Sequence, residues 1–159
     1  MSRRLLLVLV GLFLFAASPL ARAAEVEFVR IWPAWRTAES FGRISEYFDG
    51  QENTGRHTVL RSQPDSRAGY YFLVRTKTTL NAADAKFVLQ IIKPDAPQAT
   101  TYTFPVVLIG REIVFNLGLT GTDWPDRKTQ AVAWRLALVS GKGDELASSQ
   151  SFLWAKPAP

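Results

Sequence analysis

The sequence contains no cysteine and a single histidine, His57. Without cysteine, the chain can form no disulfide, no zinc–thiolate site and no cysteine nucleophile. With one histidine, a Ser/His/Asp triad or a multi-histidine metal site would have to be built around His57 alone. The sequence also lacks the common motifs of phosphate-binding loops, EF-hand loops, zinc proteases and serine hydrolases. We therefore expect no cofactor and no metal, and we expect the protein not to be an enzyme.

A large excess of positive charge is also missing once the N-terminus is set aside. Residues 1 to 23 begin with Arg3 and Arg4, continue with an apolar run over residues 5 to 17, and end in small residues at Ala23. This order is typical of a secretory signal peptide cleaved after Ala23. The paired arginines also fit a twin-arginine signal, but the very apolar run favours the general secretory route.

Export predicts a mature domain that is periplasmic or secreted. The apolar run is shorter than the roughly 20 residues that span a bilayer, so we expect no transmembrane segment after signal removal. Removing residues 1 to 23 takes away three arginines and no acidic residue, which lowers the formal net charge from +5 to +2. This small excess argues against a nucleic-acid partner. Residues 24 to 159 suit one domain.

The mature chain shows a hydrophobic period of two residues, which is typical of half-buried strands. Between them lie turn signals rich in Gly, Pro, Asn and Asp, as at residues 81 to 84, 94 to 97 and 140 to 144. We interpret seven segments as strands, near residues 26 to 32, 70 to 76, 86 to 93, 100 to 105, 112 to 118, 131 to 139 and 146 to 154.

Seven short strands with regularly spaced turns favour two antiparallel sheets packed face to face. In this pattern, best over residues 70 to 154, the chain resembles a bacterial immunoglobulin-like β-sandwich that lacks the disulfide of antibody domains. The resemblance implies an all-β fold. It leaves the function open, because one fold serves many functions.

Residues 33 to 69 exceed a minimal sandwich and form a predicted insertion. Thr37 is a candidate cap for a short helix whose Ala38, Phe41, Ile44 and Phe48 share one face, and Asp49-Gly50 would end that helix. Residues 56 to 62 are predicted to form an extra edge strand. Because this insertion distinguishes the chain from a minimal seven-strand sandwich, a specific function is expected there.

The loop after residue 118 contains three candidate ligand-binding residues, Asp123, Trp124 and Asp126. The two carboxylates would need converging geometry and different pKa values to act as an acid/base pair, and more oxygen ligands to hold a cation. The alternative is structural: the carboxylates shape the turn, and Trp124 plugs one end of the sandwich.

Trp32 and Trp35 are the second candidates, because exposed indole rings stack on sugars. Together with Trp124 they would form a carbohydrate platform. The alternative is that Trp32 and Trp35 are buried against the helix of residues 38 to 48. Trp134 and Trp154 fall on predicted strands and are expected in the core.

A basic patch of Arg61, Arg67 and Arg75, near Arg56 and His57, is the third candidate. If residues 56 to 62 and 70 to 76 paired, Arg61 and Arg75 would approach one face and attract phosphate, carboxylate or acidic head groups. The alternative is that these charges protect an edge strand from aggregation.

Together these features favour an exported, non-enzymatic binding or envelope-interaction module with a protein or polysaccharide partner. The alternative is a carbohydrate-binding module that uses exposed tryptophans. Strand addition at residues 56 to 62 would be one mode of attachment.

Overall fold

The structure is a computed structural model that describes residues 25–154, so the predicted signal peptide lies outside the described residues. The described chain contains eight strands and one short α-helix, α1 (Ile44–Asp49). The strands are β1 (Val26–Arg36), β2 (Thr58–Arg61), β3 (Gly69–Thr78), β4 (Asn81–Lys93), β5 (Ala96–Ile109), β6 (Ile113–Thr120), β7 (Ala133–Val139) and β8 (Glu145–Gln150).

The strands form two four-stranded sheets. The front sheet has the order β1-β3-β6-β2, and the back sheet has the order β5-β4-β7-β8. Neighbouring strands are antiparallel except β2 and β6, which are parallel. The predicted all-β sandwich is therefore confirmed, as is the placement of residues 56 to 62 at a sheet edge.

The core lies between the two sheets and is made of alternating side chains. On β4, every second residue from Ala85 to Ile91 is buried, whereas β6 is buried along most of its length. Phe72, Leu89 and Leu117 are among the fully buried side chains. Burying each such side chain contributes about 1.5–3 kcal/mol. In a chain without cysteine, this packing provides the stability that a disulfide would otherwise add.

Strands β4 and β5 form one long hairpin, which corrects the predicted turn at residues 81 to 84. Asn81 pairs with Ile109 and Ala82 with Leu108, and an irregularity between Ala82 and Ala85 accommodates the intervening residues. The turn signal was wrong because strand pairing overrode local propensity. Residues 94 and 95 form the tip, as predicted.

The last predicted strand is shorter than expected. β8 ends at Gln150. Trp154 lies half-buried in the turn that follows, where its backbone N–H donates to the carbonyl of Ser151. Trp134 is also half-buried, but it packs against the core with its ring 5.5 Å from that of Phe72. The core assignment therefore fits Trp134 better than Trp154.

Residues 37 to 57, here called the roof segment, cover part of the outer face of the front sheet. The single predicted helix is instead a 3₁₀ turn (Ala38–Phe41) followed by α1, which ends at Gly50 with a positive φ of 65°, as expected. Thr37 makes no side-chain capping bond. The prediction that these apolar residues share one face was wrong, because Phe48 is 78% exposed whereas Phe41 packs on the sheet.

Candidate functional site

The loop between β6 and β7 is shaped by the Asp126 carboxylate and by the backbone carbonyl of Asp123. The Asp126 carboxylate accepts hydrogen bonds from the backbone N–H of Lys128, at 2.9 Å, and from the Thr129 hydroxyl, at 3.0 Å. The backbone carbonyl of Asp123 accepts a bond from Lys93 Nζ at 2.6 Å. These contacts match the structural alternative for Asp126, whereas the contact of Asp123 involves its backbone and not its carboxylate.

Trp124 belongs to the interior. Only 1% of its surface is exposed, and its ring stacks on that of Tyr70 with centroids 4.6 Å apart. The indole N–H donates to the Thr129 carbonyl at 3.2 Å, and the Lys93 ammonium lies 5.2 Å from the ring. Trp124 therefore presents no face on which a sugar could stack.

The other two candidate tryptophans point to opposite faces of β1. Trp35 is half-buried and packs against the core, whereas Trp32 is 56% exposed on the outer face of the front sheet. Trp32 is not buried against the roof segment, so that alternative was wrong for it. It borders an apolar groove of about 250 Å³ that is also lined by Trp35 and Leu73. Trp124 is not among the residues that line this groove, so the three tryptophans do not form one platform.

Two arginines of the predicted basic patch anchor the roof segment. Arg61 forms a two-pronged ion pair with Glu52, with Nη1 2.7 Å from Oε2, and its Nε donates to Tyr71 Oη at 2.9 Å. Arg67 Nη1 lies 2.7 Å from Glu46 Oε2. Their charges are largely paired with carboxylates of the same protein.

The pairing that would have joined Arg61 and Arg75 is absent from the described sheets. Strand β2 pairs with β6 and not with β3, because β6 lies between them. Arg75 instead forms an exposed ion pair with Glu112 at 2.8 Å. The patch is therefore better described as three ion-paired cations than as one basic surface.

The roof segment leaves a polar cavity above the front sheet, here called the roofed cavity. Its volume is about 210 Å³, and its lining includes Arg36, Arg43, His57 and Asn116. Arg36 and Asn116 come from β1 and β6, whereas Arg43 and His57 come from the roof segment. A wider depression of about 1060 Å³ adjoins it and shares His57.

Asn116 is the least satisfied polar residue of this cavity. It is 1% exposed, yet its side-chain oxygen Oδ1 accepts no hydrogen bond from the described residues. Its register partners on the two neighbouring strands are the aliphatic Leu73 and Val59. Leaving a buried acceptor unpaired costs about 1–3 kcal/mol, so an aliphatic residue would suit this position better for stability alone.

The two cavity arginines are held by contacts that leave their charges uncompensated. The Arg36 guanidinium lies 4.9 Å from the centre of the Phe41 ring, and none of the ion pairs among residues 25–154 involves Arg36 or Arg43. The guanidinium of Arg43 packs on Gly55, where an added Cβ would lie 2.7 Å from Nη2. Gly55 has a positive φ of 64°, and this backbone conformation is the reason that glycine is favoured there.

Sequence reasoning missed Arg36, Arg43 and Asn116. One signal was present: Asn116 is a polar residue between the apolar residues Phe115 and Leu117. Its burial could not be read from the sequence, because the roof segment that covers it is distant along the chain.

The ion pairs of the roof segment predict a loss of stability in acid. The pKa of Glu52 is lowered chiefly by its hydrogen bonds from Arg61, and that of Glu46 chiefly by its bond from Arg67. A lowered carboxyl pKa stabilises the folded state above the unfolded value, and this contribution disappears as the pH falls through the folded pKa.

We therefore expect amide hydrogen exchange in the roof segment to accelerate as the pH falls below about 4.3, after correction for intrinsic rates. The substitution Glu52→Gln should flatten this pH dependence. Equal acceleration in the back sheet of both proteins would contradict the assignment to these pairs.

Within residues 25–154, no helix is long and apolar enough to cross a membrane. The same residues contain no cluster of three acidic or histidine side chains arranged to hold a metal ion. Comparisons of the chain with protein-family models and with curated protein sequences found no match.

Proposed function

We propose that this protein is an exported, non-enzymatic binding module of the cell envelope that recognises an anionic ligand on the outer face of its front sheet. The roofed cavity carries this proposal, because it combines two uncompensated guanidinium groups with a buried, unpaired acceptor. Arginine recognises carboxylates and phosphates through planar, paired hydrogen bonds. Unpaired groups of this kind lower the stability of the folded protein and are available to bind a ligand.

Location and ancestry form part of the same proposal. The N-terminal signal pattern of residues 1 to 23 supports export to the periplasm or beyond the cell. The two packed sheets are compatible with an immunoglobulin-like origin, and folds of that kind commonly carry binding surfaces in their loops and insertions. The roof segment is such an insertion.

The structural use of the Asp126 carboxylate supports a non-enzymatic role. Asp126 is engaged in the turn by two hydrogen bonds, and Trp124, which lies between Asp126 and Asp123 in the chain, is buried. An acid/base pair needs carboxyl groups that converge on a cleft open to substrate. The roofed cavity has one carboxylate in its lining, that of Glu52, and Arg61 engages both of its oxygens.

The test is an NMR titration of the mature chain with a defined set of anions: succinate, malate, glucuronate and glycerol phosphate. Saturable shifts of backbone amides should concentrate in the roof segment and β6. Arg43→Gln should weaken the binding, whereas Arg127→Gln, the same change in the exposed β6–β7 loop, should not. The proposal fails if no anion gives saturable shifts, or if the shifts map to the back sheet.

A second candidate is carbohydrate binding at Trp32. The observation that favours it is the exposed indole beside the apolar groove bordered by Leu73 and Ala34. The Arg30 guanidinium lies 4.6 Å from the ring centre, so a sugar would stack on the opposite side of the indole.

For this candidate we expect soluble polysaccharides to change the tryptophan fluorescence of the native protein and not that of Trp32→Ala. Phe152→Ala is the matched control, because Phe152 is an 83% exposed aromatic residue outside the groove. Stacking on an aromatic ring is worth about 1 kcal/mol, so the lost affinity should be roughly fivefold. Unchanged binding by Trp32→Ala would remove carbohydrate recognition at this groove.

A further inference from the structure

The roofed cavity holds two kinds of unused chemistry at once, cationic groups and a hydrogen-bond acceptor. From this combination we infer that its ligand is a small organic carboxylate that also carries a hydroxyl or amine donor. The guanidinium groups of Arg36 and Arg43 hold the carboxylate, and Asn116 Oδ1 accepts the bond from the donor. This inference rests on the proposed function and specifies its ligand.

The charge of the cavity requires an anion. Glu52 is the acidic residue of the lining, and both of its oxygens are engaged by Arg61, with Arg67 Nε a further 3.8 Å from Oε2. Arg36 and Arg43 therefore keep their full charge towards the cavity. A carboxylate placed between them replaces their hydration by charge-assisted hydrogen bonds.

The unpaired acceptor requires a donor. A fully deprotonated inorganic anion such as sulfate has no donor to offer Asn116 Oδ1, and the amide is flanked by Leu73 and Val59, whose side chains have no hydrogen-bonding atoms. A ligand hydroxyl or amine satisfies this oxygen and removes the penalty of its burial. This requirement separates a hydroxy or amino acid from its deoxy counterpart.

The size of the cavity sets the scale of the part of the ligand that lies inside it. An apolar cavity of about 150 Å³ is large enough for benzene. The 210 Å³ here therefore suits roughly eight non-hydrogen atoms. His57 is exposed at the junction with the wider depression, so a longer ligand would extend past its ring.

The test compares carboxylates with and without a hydroxyl or ammonium group, by calorimetry on the mature chain; the hydroxy pairs differ in one donor alone, whereas the ammonium of the amino members also adds a positive charge. The pairs are malate with succinate, lactate with propionate, aspartate with succinate, and alanine with propionate. We expect the hydroxy or amino member of at least one pair to bind about tenfold more tightly than its deoxy partner, as the gain of one well-placed hydrogen bond predicts.

Two substitutions test which side chain binds each part of the ligand. Asn116→Leu should abolish the difference within the pair and leave the protein as stable as the native chain or more so, because it replaces an unpaired amide by an aliphatic side chain of similar shape. Arg43→Gln should weaken both members about tenfold, and Arg127→Gln should weaken neither. A shift of the Asn116 side-chain amide signals on titration of the native protein gives a readout that needs no variant.

The outcomes separate this inference from the proposed function. Equal affinities within every pair, or binding by glycerol phosphate alone, overturn the inference while leaving an anion-binding module. A discrimination that survives Asn116→Leu overturns the role of Asn116. If none of the anions binds, both proposals fail together.

Discussion

Trp124→Ala lowers the free energy of unfolding by about 3–5 kcal/mol, the expected range for removing a fully buried tryptophan. The side chain is 1% exposed and fills the space beside the Tyr70 ring, against which it stacks. Its removal leaves a cavity lined by residues of both sheets and unpairs the Thr129 carbonyl. Since the free energy of unfolding of a small domain is only about 5–15 kcal/mol, this single change should remove a large part of it.

Chemical denaturation monitored by circular dichroism measures this effect. Trp32→Ala serves as the control, since it removes the same ring from a position that is 56% exposed, and it should change stability by no more than about 1 kcal/mol. Equal losses for the two variants would show that Trp124 is not the interior plug described above.

Arg61→Met lowers the free energy of unfolding by about 2 kcal/mol and loosens the roof segment. The Arg61 side chain is 8% exposed and bonds to both Glu52 and Tyr71. Removing one partner of a fully buried pair costs about 3–5 kcal/mol, because the other charge is left uncompensated. The effect here is smaller since Glu52 retains contact with solvent.

Arg75→Met is the matched control for this substitution. Arg75 also lies on the front sheet and pairs with Glu112 at 2.8 Å, but both side chains are about half exposed. Exposed pairs contribute only about 0.2–1 kcal/mol. Hydrogen exchange should show faster opening of the roof segment in Arg61→Met and not in Arg75→Met. Equal effects of the two variants would contradict the anchoring role of Arg61.

If the roof segment opens, the roofed cavity opens with it, because the same residues form its walls. Arg61→Met should therefore weaken anion binding although Arg61 is not among the residues that line the cavity. This links the ion pairs that hold the fold to the binding function proposed for the front sheet.

Periodicity was a reliable guide wherever a strand has one buried face. The alternation around Phe72 and Leu117 predicted both strands and their inward-facing side chains, which the structure confirms. The prediction failed where pairing with a distant strand decided the outcome, as at residues 81 to 84, which extend because β5 provides a partner. Local turn propensity is weaker than a row of inter-strand hydrogen bonds.

The roof segment shows the same limit for helices. Its apolar spacing fitted one helix, but the segment breaks at Gly42, and Phe41 reaches the sheet, with its ring 4.7 Å from that of Tyr71, whereas Phe48 is exposed. Tyr71 in turn lies over Gly118, where an added side chain would collide with its ring. Such mutual fits between distant residues leave no periodic trace in a sequence.

The amino-acid sequence by itself determined the all-β class, because the two-residue hydrophobic period permits only strands with one buried face. It also determined that no thiol chemistry occurs here, since the chain has no cysteine. Only the tertiary structure decided that Trp124 is buried, that Arg61 and Arg67 form ion pairs, and that Asn116 is buried with an unpaired oxygen. The physical reason is that burial and charge pairing depend on which distant segments meet, and the roof segment meets the front sheet across the fold.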